Sequence, residues 1–175
     1  MSYYFALQKQ TGEHYAPRSR FIRKMPLHTQ EGIIRAIANI GTDVSVRRYY
    51  GELSAPTHPV LADGELPLVL VDFVGDKALS PSQVQLTFNL YIAHVSLSKN
   101  RHTRQAKEEE VLELLNIIDK EVSLALVEES TLVQLGSLKK IFDAKSDKGY
   151  LTIYMRQLHT TKPRNYHLDR APNNL

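Results

Sequence analysis

The chain has 175 residues, 42% of them hydrophobic, no cysteine and a formal net charge of +3. A chain of this length suits one domain that buries roughly 70% of its unfolded surface and needs no covalent or metal staple. The missing cysteines exclude disulfides, thiolate zinc sites and cysteine nucleophiles. No window approaches the ~20 apolar residues of a membrane helix, and residues 1–10 lack the apolar run of a signal peptide, so the cytoplasm is the expected location.

The charge is unevenly spread. Residues 1–27 carry Lys9, Arg18, Arg20, Arg23 and Lys24 against Glu13, and residues 156–175 carry Arg156, Lys162, Arg164 and Arg170 against Asp169. The middle is net acidic, with 13 basic and 17 acidic residues over 28–155. An acidic body with basic ends fits nucleic acid or an acidic neighbouring copy as partner.

In chain order, residues 1–27 show no hydrophobic period and read as an arm, extended or ordered on a partner. A first helix is predicted from Thr29 to Ile40, with His28 or Thr29 as N-cap, Ile33, Ile34, Ile37 and Ile40 as its apolar stripe, and Gly41 as the C-terminal cap. Val44–Tyr50 alternates and reads as a strand. Gly51–Leu66 is a long loop with two prolines. Pro67–Val74 is a nearly continuous apolar run, as in a central strand buried on both faces. After a turn over Gly75–Pro81, Val84, Leu86, Phe88, Leu90 and Ile92 alternate with polar residues, which predicts a strand with one buried face. Lys99–His102 reads as a basic turn. A second helix follows over Thr103–Leu126, buried along Val111, Leu114, Leu115, Ile118 and Val122, with Glu108, Glu109 and Glu110 near its start. Leu132–Leu138 reads as a short strand with a bulge at Gly136. Tyr150–Arg156 closes the sheet with Leu151, Ile153 and Met155 inward. The expected fold is α+β: a mainly antiparallel sheet of four or five strands, two helices packed on one face, and extended N- and C-terminal arms. The expected division is an arm over 1–27, a domain over 28–158 and a tail over 159–175.

Signatures of catalysis are missing. There is no phosphate-binding G-x-x-x-x-G-K-[ST] loop, no G-x-G-x-x-G and no G-x-S-x-G elbow. The seven histidines make no local metal pair. His94 falls in phase with Phe88 and Ile92 and reads as a hydrogen-bonded histidine at a strand end. Asp72 interrupts a buried strand, where an unpaired charge is costly. It is a catalytic acid with a raised pKa, an ion-pair partner within or between subunits, or a residue on a solvated face; no second acid or base at a telling spacing supports catalysis. Glu108–Glu110 is a solvated helix start or the match for a basic patch on a neighbouring copy. Arg18, Arg20, Arg23, Arg47 and Arg48 with Tyr49 and Tyr50 mix cations with aromatics, as nucleic-acid binders do. The acidic body and the missing recognition-helix pattern argue against that use.

The succession of a short helix, RRYYGEL, a proline-containing loop, LPLVLVDFVGD, QVQLTFNLYIAHVS, the amphipathic EEEVLELLNIIDKEVSLAL and a closing YLTIYMRQL resembles the Mu-type tail terminator family of contractile-tailed phages and prophages. The resemblance covers roughly residues 29–158 and rests on order, lengths and the LP-x-V-x-V-D-F strand. It implies a structural protein without catalytic residue, cofactor or metal. Such proteins form a hexameric ring at the head-proximal end of the tail, stop polymerisation of tube and sheath, and offer the surface for the head or its connector. It also implies assembly in the host cytoplasm and residence in the virion tail. Another tail completion or head–tail joining protein stands as the alternative. A ring needs two different patches on each copy, and Arg18, Arg20, Arg23 and Arg164 on the arms with Asp72, Glu108 and Glu109 on the body are the candidate subunit-interface residues.

Overall fold

The first helix, α1, spans Ala16–Ala38 in a computed structural model that describes residues 16–41, 44–53, 67–125, 132–146 and 149–163. The helix therefore begins well inside the segment expected to be an aperiodic arm, and the expected start at Thr29 is corrected. Thr29 is fully buried within the helix rather than capping it. Pro26 lies inside α1. A proline removes one helical donor and crowds the preceding turn, so sequence alone reads it as a boundary. Past Pro26 the helix is held by tertiary contacts. Ile33 and Ile37 are buried, and the Gln30 side chain donates to the Val71 carbonyl at 2.6 Å. Gly41, at φ 71°, takes the left-handed position after the helix that only glycine adopts cheaply.

Strand β1, Ser45–Arg48, runs parallel to β2, Leu68–Ser80. A parallel pair needs a long crossover, and residues 49–67 supply it. The remaining pairs are antiparallel: β2 with β3 (Gln83–Ser96), β3 with β5 (Gly149–Pro163), and β5 with β4 (Gln134–Ser146). The order is β1-β2-β3-β5-β4, a mixed sheet that is mainly antiparallel. Helix α2, Arg101–Leu124, joins β3 to β4, with Asn100 Oδ1 accepting from the His102 amide as N-cap. The predicted basic turn over 99–102 thus already contains the helix start, and Glu108–Glu110 lie beyond the first turn, which holds no acid.

Three strands are longer than the sequence suggested. β2 continues through the predicted Gly75–Pro81 turn, and the reversal is made by Pro81 and Ser82. β4 extends to Ser146 with register shifts at Leu135/Leu138 and Lys140/Phe142; the first brackets Gly136, where the bulge was expected. A Cβ on Gly136 would stand 3.2 Å from Gln157 Cβ, a close approach that favours glycine. β5 reaches Pro163, so the first five residues of the expected C-terminal tail are strand. It is also central rather than closing, because it lies between β3 and β4.

Leu68, Val69, Leu70 and Val71 are all fully buried, as a strand covered on both faces requires. Because side chains alternate along a strand, they enter two clusters. The larger unites Ile33 and Ile37 of α1, Val111, Leu115, Ile118 and Val122 of α2, and Val69, Val71, Phe88, Leu90 and Ile92 of the sheet. The smaller holds Leu68, Leu70, Ala93, Leu151 and Ile153, with Tyr49, Leu53, Tyr91 and Phe142 packed against it.

Candidate assembly surfaces

A five-stranded open sheet has two edges, and an edge exposes unpaired backbone groups that template another strand. β1 pairs with β2 only as far as Val71. Among the described residues the outer side of Asp72–Ser80 therefore has no strand neighbour. β4 pairs only with β5, so its outer side is likewise open. The two edges differ in chemistry. The first consists of β1, whose Arg47 and Arg48 face Glu52 and Glu31, and beyond it the free side of β2 with Asp72, Asp76 and Lys77 and exposed Val74 and Leu79; the second carries Lys139, Lys140 and Lys145 against Asp143, with exposed Leu135, Leu138 and Ile141. Each edge has two register shifts, which raise local twist and bar indiscriminate stacking.

Asp72 is half-buried on β2, opposite Asn89 of β3. Desolvation raises its pKa above the ordinary 3.8. Among the described residues no cation pairs with it. Asn89 Oδ1 beside it is buried without a hydrogen-bond partner.

Glu108 is engaged inside the subunit. It accepts from Lys140 Nζ and from the Tyr154 hydroxyl, linking α2 to β4 and β5. The hydrogen bonds from Lys140 and Tyr154 hold its carboxyl below the ordinary 4.5. Burial, reinforced by Glu108, pushes the Tyr154 hydroxyl up to about 12. Glu109 is exposed, and Glu110 pairs with Lys107 at 2.5 Å. Sequence reasoning missed Lys140 and Tyr154, since their convergence on Glu108 needs the β4–β5 register, which brings them opposite each other.

Arg18, Arg20 and Arg23 lie on α1, but their side chains lie outside the described residues, as does Arg164 altogether. Arg156, grouped with the basic C-terminal end, is instead committed to the fold. Its Nε donates to Asp119 Oδ1 at 3.0 Å, NH2 donates to Oδ2, and NH1 donates to the Gly136 carbonyl at 3.1 Å. Lys162 is buried in β5. Arg47 lies 3.9 Å from Glu52, and Arg48 pairs with Glu31, so two of the five arginines that suggested nucleic acid face intramolecular carboxylates. Among the described residues no three His, Cys, Asp or Glu side chains are placed to hold a metal ion, and no described helix is long and apolar enough to cross a membrane.

No family model and no curated protein matches the chain. The functional reading therefore rests on the edges, the charges and the order of elements.

Proposed function

We propose that this chain is a structural phage-tail protein, the terminator subunit that closes the head-proximal end of the tail as a homohexameric ring. One observation carries the proposal: among the described residues, the unpaired side of β2 beyond Val71 holds more acids than bases and the unpaired side of β4 more bases than acids. A ring is built from heterologous contacts, in which one patch meets a different patch on the next copy. The acidic outer half of β2 and the lysine-bearing edge of β4 are complementary in this sense, and both offer strand backbone for pairing. The ring then occupies the surface that the next ring of the tail tube would use, so termination is steric and needs no cofactor. The opposite face of the ring receives the head or its connector.

The same reading places both helices on one face of the sheet, supported by their shared cluster with Val69, Val71, Phe88 and Ile92. That arrangement leaves the edges clear of helix. The arginines Arg18, Arg20 and Arg23 on α1, and Arg164 after β5, reach the acidic body of the neighbour, with Glu109 among its exposed carboxylates.

The deciding experiment is electron microscopy of particles from an induced phage with a stop codon early in this reading frame. Overlong, headless tails beside intact heads are the expected result. Tails of normal length that fail to join heads would move the protein to the joining step. Normal virions would overturn both readings.

A further inference from the structure

At the end of the sheet next to the start of α2, a polar cleft of about 460 Å³ opens between β3, α2 and the β4–β5 hairpin. Its walls include His94, Arg101, Arg104, Glu108, Asp143 and Tyr150. Several polar groups on these walls have no partner among the described residues. The first turn of α2 contains no acid and instead carries Arg101, His102 and Arg104. Cations at this end oppose the helix dipole, whose positive pole favours anions. A local rule broken without compensation marks a functional site more often than a packing one. Arg104 is held in place with its guanidinium carbon 4.0 Å from the centre of the Tyr150 ring. Yet its Nε is buried with no acceptor, and neither Arg101 nor Arg104 has an ion pair among the described residues. His94 is 6% exposed, lines the cleft, and its Nε2 likewise has no partner among the described residues. Buried donors are almost always satisfied by protein, water or ligand.

The acids on the same walls are already engaged. Glu108 is held by Lys140 and Tyr154. Asp143 accepts from Thr152 Oγ1 at 3.2 Å and lies 3.7 Å from Lys140. Neither carboxylate is shown bonded to Arg101 or Arg104. Burial pushes the His94 imidazole below its ordinary 6.5, so at neutral pH it is an uncharged ring that can donate one hydrogen bond. Two guanidinium groups and a single ring N–H stand beside a helix N-terminus whose His102 amide is capped by Asn100, and among the described residues no carboxylate is bonded to this donor set.

We propose that this cleft binds an oxyanion, a carboxylate or phosphoryl group, between Arg104, Arg101 and His94 at the N-terminus of α2. Guanidinium groups suit both head groups because their planar donors match paired oxygens, and helix N-termini are ready-made anion sites. The cleft is larger than a lone oxyanion and falls within the size range of small-molecule sites, so it accommodates a head group still attached to its carrier. The inference is independent of the ring reading, since it concerns the isolated chain.

The test is an NMR titration of the full chain with inorganic phosphate and, separately, with acetate, at constant ionic strength, following the His94 ring signals. A saturable shift with either probe is expected, and the probe with the lower apparent Kd names the head group. Arg101→Gln, at an exposed position that leaves the fold intact, should weaken binding at least several-fold. Arg104→Gln should abolish it, with the far-ultraviolet spectrum of the variant checking its fold. Linear, unsaturable shifts with both probes would overturn the site. So would saturation that is unchanged in Arg101→Gln and in a folded Arg104→Gln.

Discussion

Asp72 is the residue whose chemistry is least settled by its own chain. Desolvation raises its pKa above 3.8, so the folded chain favours the protonated form. Stability from this group is present at low pH and is lost as pH rises from 3.8 through the folded value. Asp72→Asn should therefore raise the melting temperature of the isolated protein at pH 7 and leave it unchanged well below pH 3.8. In a ring where a neighbour's cation meets Asp72, the same substitution weakens assembly; a lowered Tm instead would show an intramolecular partner. Glu108 has the opposite sign. Its carboxyl is held below 4.5 by Lys140 and Tyr154, so its contribution is complete above 4.5 and lost as pH falls through the lower folded value. Glu108→Gln should cost about 0.5–1 kcal/mol at pH 7, allowing for screening of a partly exposed group. It should also flatten the acid limb of stability against pH, measured by denaturant titration at several pH values. Both residues could be singled out by type and position, but only the folded surroundings, burial for Asp72 and the bonds from Lys140 and Tyr154 for Glu108, decide which way each pKa moves.

At the scale of elements, the Asp119–Arg156 pair joins the last turns of α2 to the middle of β5, and through Gly136 to β4. Its side chains are 11% and 15% exposed. Removing one partner strands a charge in a nearly dry site, so Arg156→Ala should destabilise by about 3–5 kcal/mol. Replacing both together, as Asp119→Leu with Arg156→Met, should cost much less, and a double-mutant cycle in urea measures the difference. The cores of β2, β3 and α2 were legible in the sequence because their periods are clean: Leu68–Val71 apolar throughout, Val84–Ile92 alternating, Val111–Val122 helical. Three features were hidden. Pro26 masked the first half of α1. Gly75 suggested a turn that the chain makes only at Pro81 and Ser82. The central place of β5 left no local trace, because a strand paired on both sides, with alternate side chains bonded to α2, reads as half polar. Tyr154 and Arg156, expected to point outward, are the residues that carry those bonds.

For the whole molecule, the candidate site was legible as composition but not as geometry. Charge counting found a basic N-terminal segment and an acidic body. It could not show that Arg156 and Lys162 are drawn into the fold, nor that lysines line the β4 edge. If the ring forms through the two sheet edges, reversing Lys139 and Lys145 to glutamate should prevent hexamers on the tail tube. Adding Asp72→Lys and Asp76→Lys to the same chain should restore them, as seen by electron microscopy of assembled tails. Failure of the restored variant, with each chain folded, would place the contact elsewhere.

The strand order has a consequence for how the chain reaches this state. Among the described residues β4 has no strand neighbour except β5, and β3 takes β5 along its whole length, from Gln83 opposite Pro163 to Ser96 opposite Tyr150. The sheet is thus completed from its middle by the element that leaves the ribosome after all the other described ones. Closing the β3–β5 register spans a long stretch of chain, and such non-local pairing is slow to form. Until it does, β3 shows a bare side and β4 lacks its described strand partner, so a nascent or truncated chain has an incomplete sheet. Polypeptides halted at residue 148 should remain protease-sensitive and bind chaperones, while the full chain becomes resistant only after β5 is released.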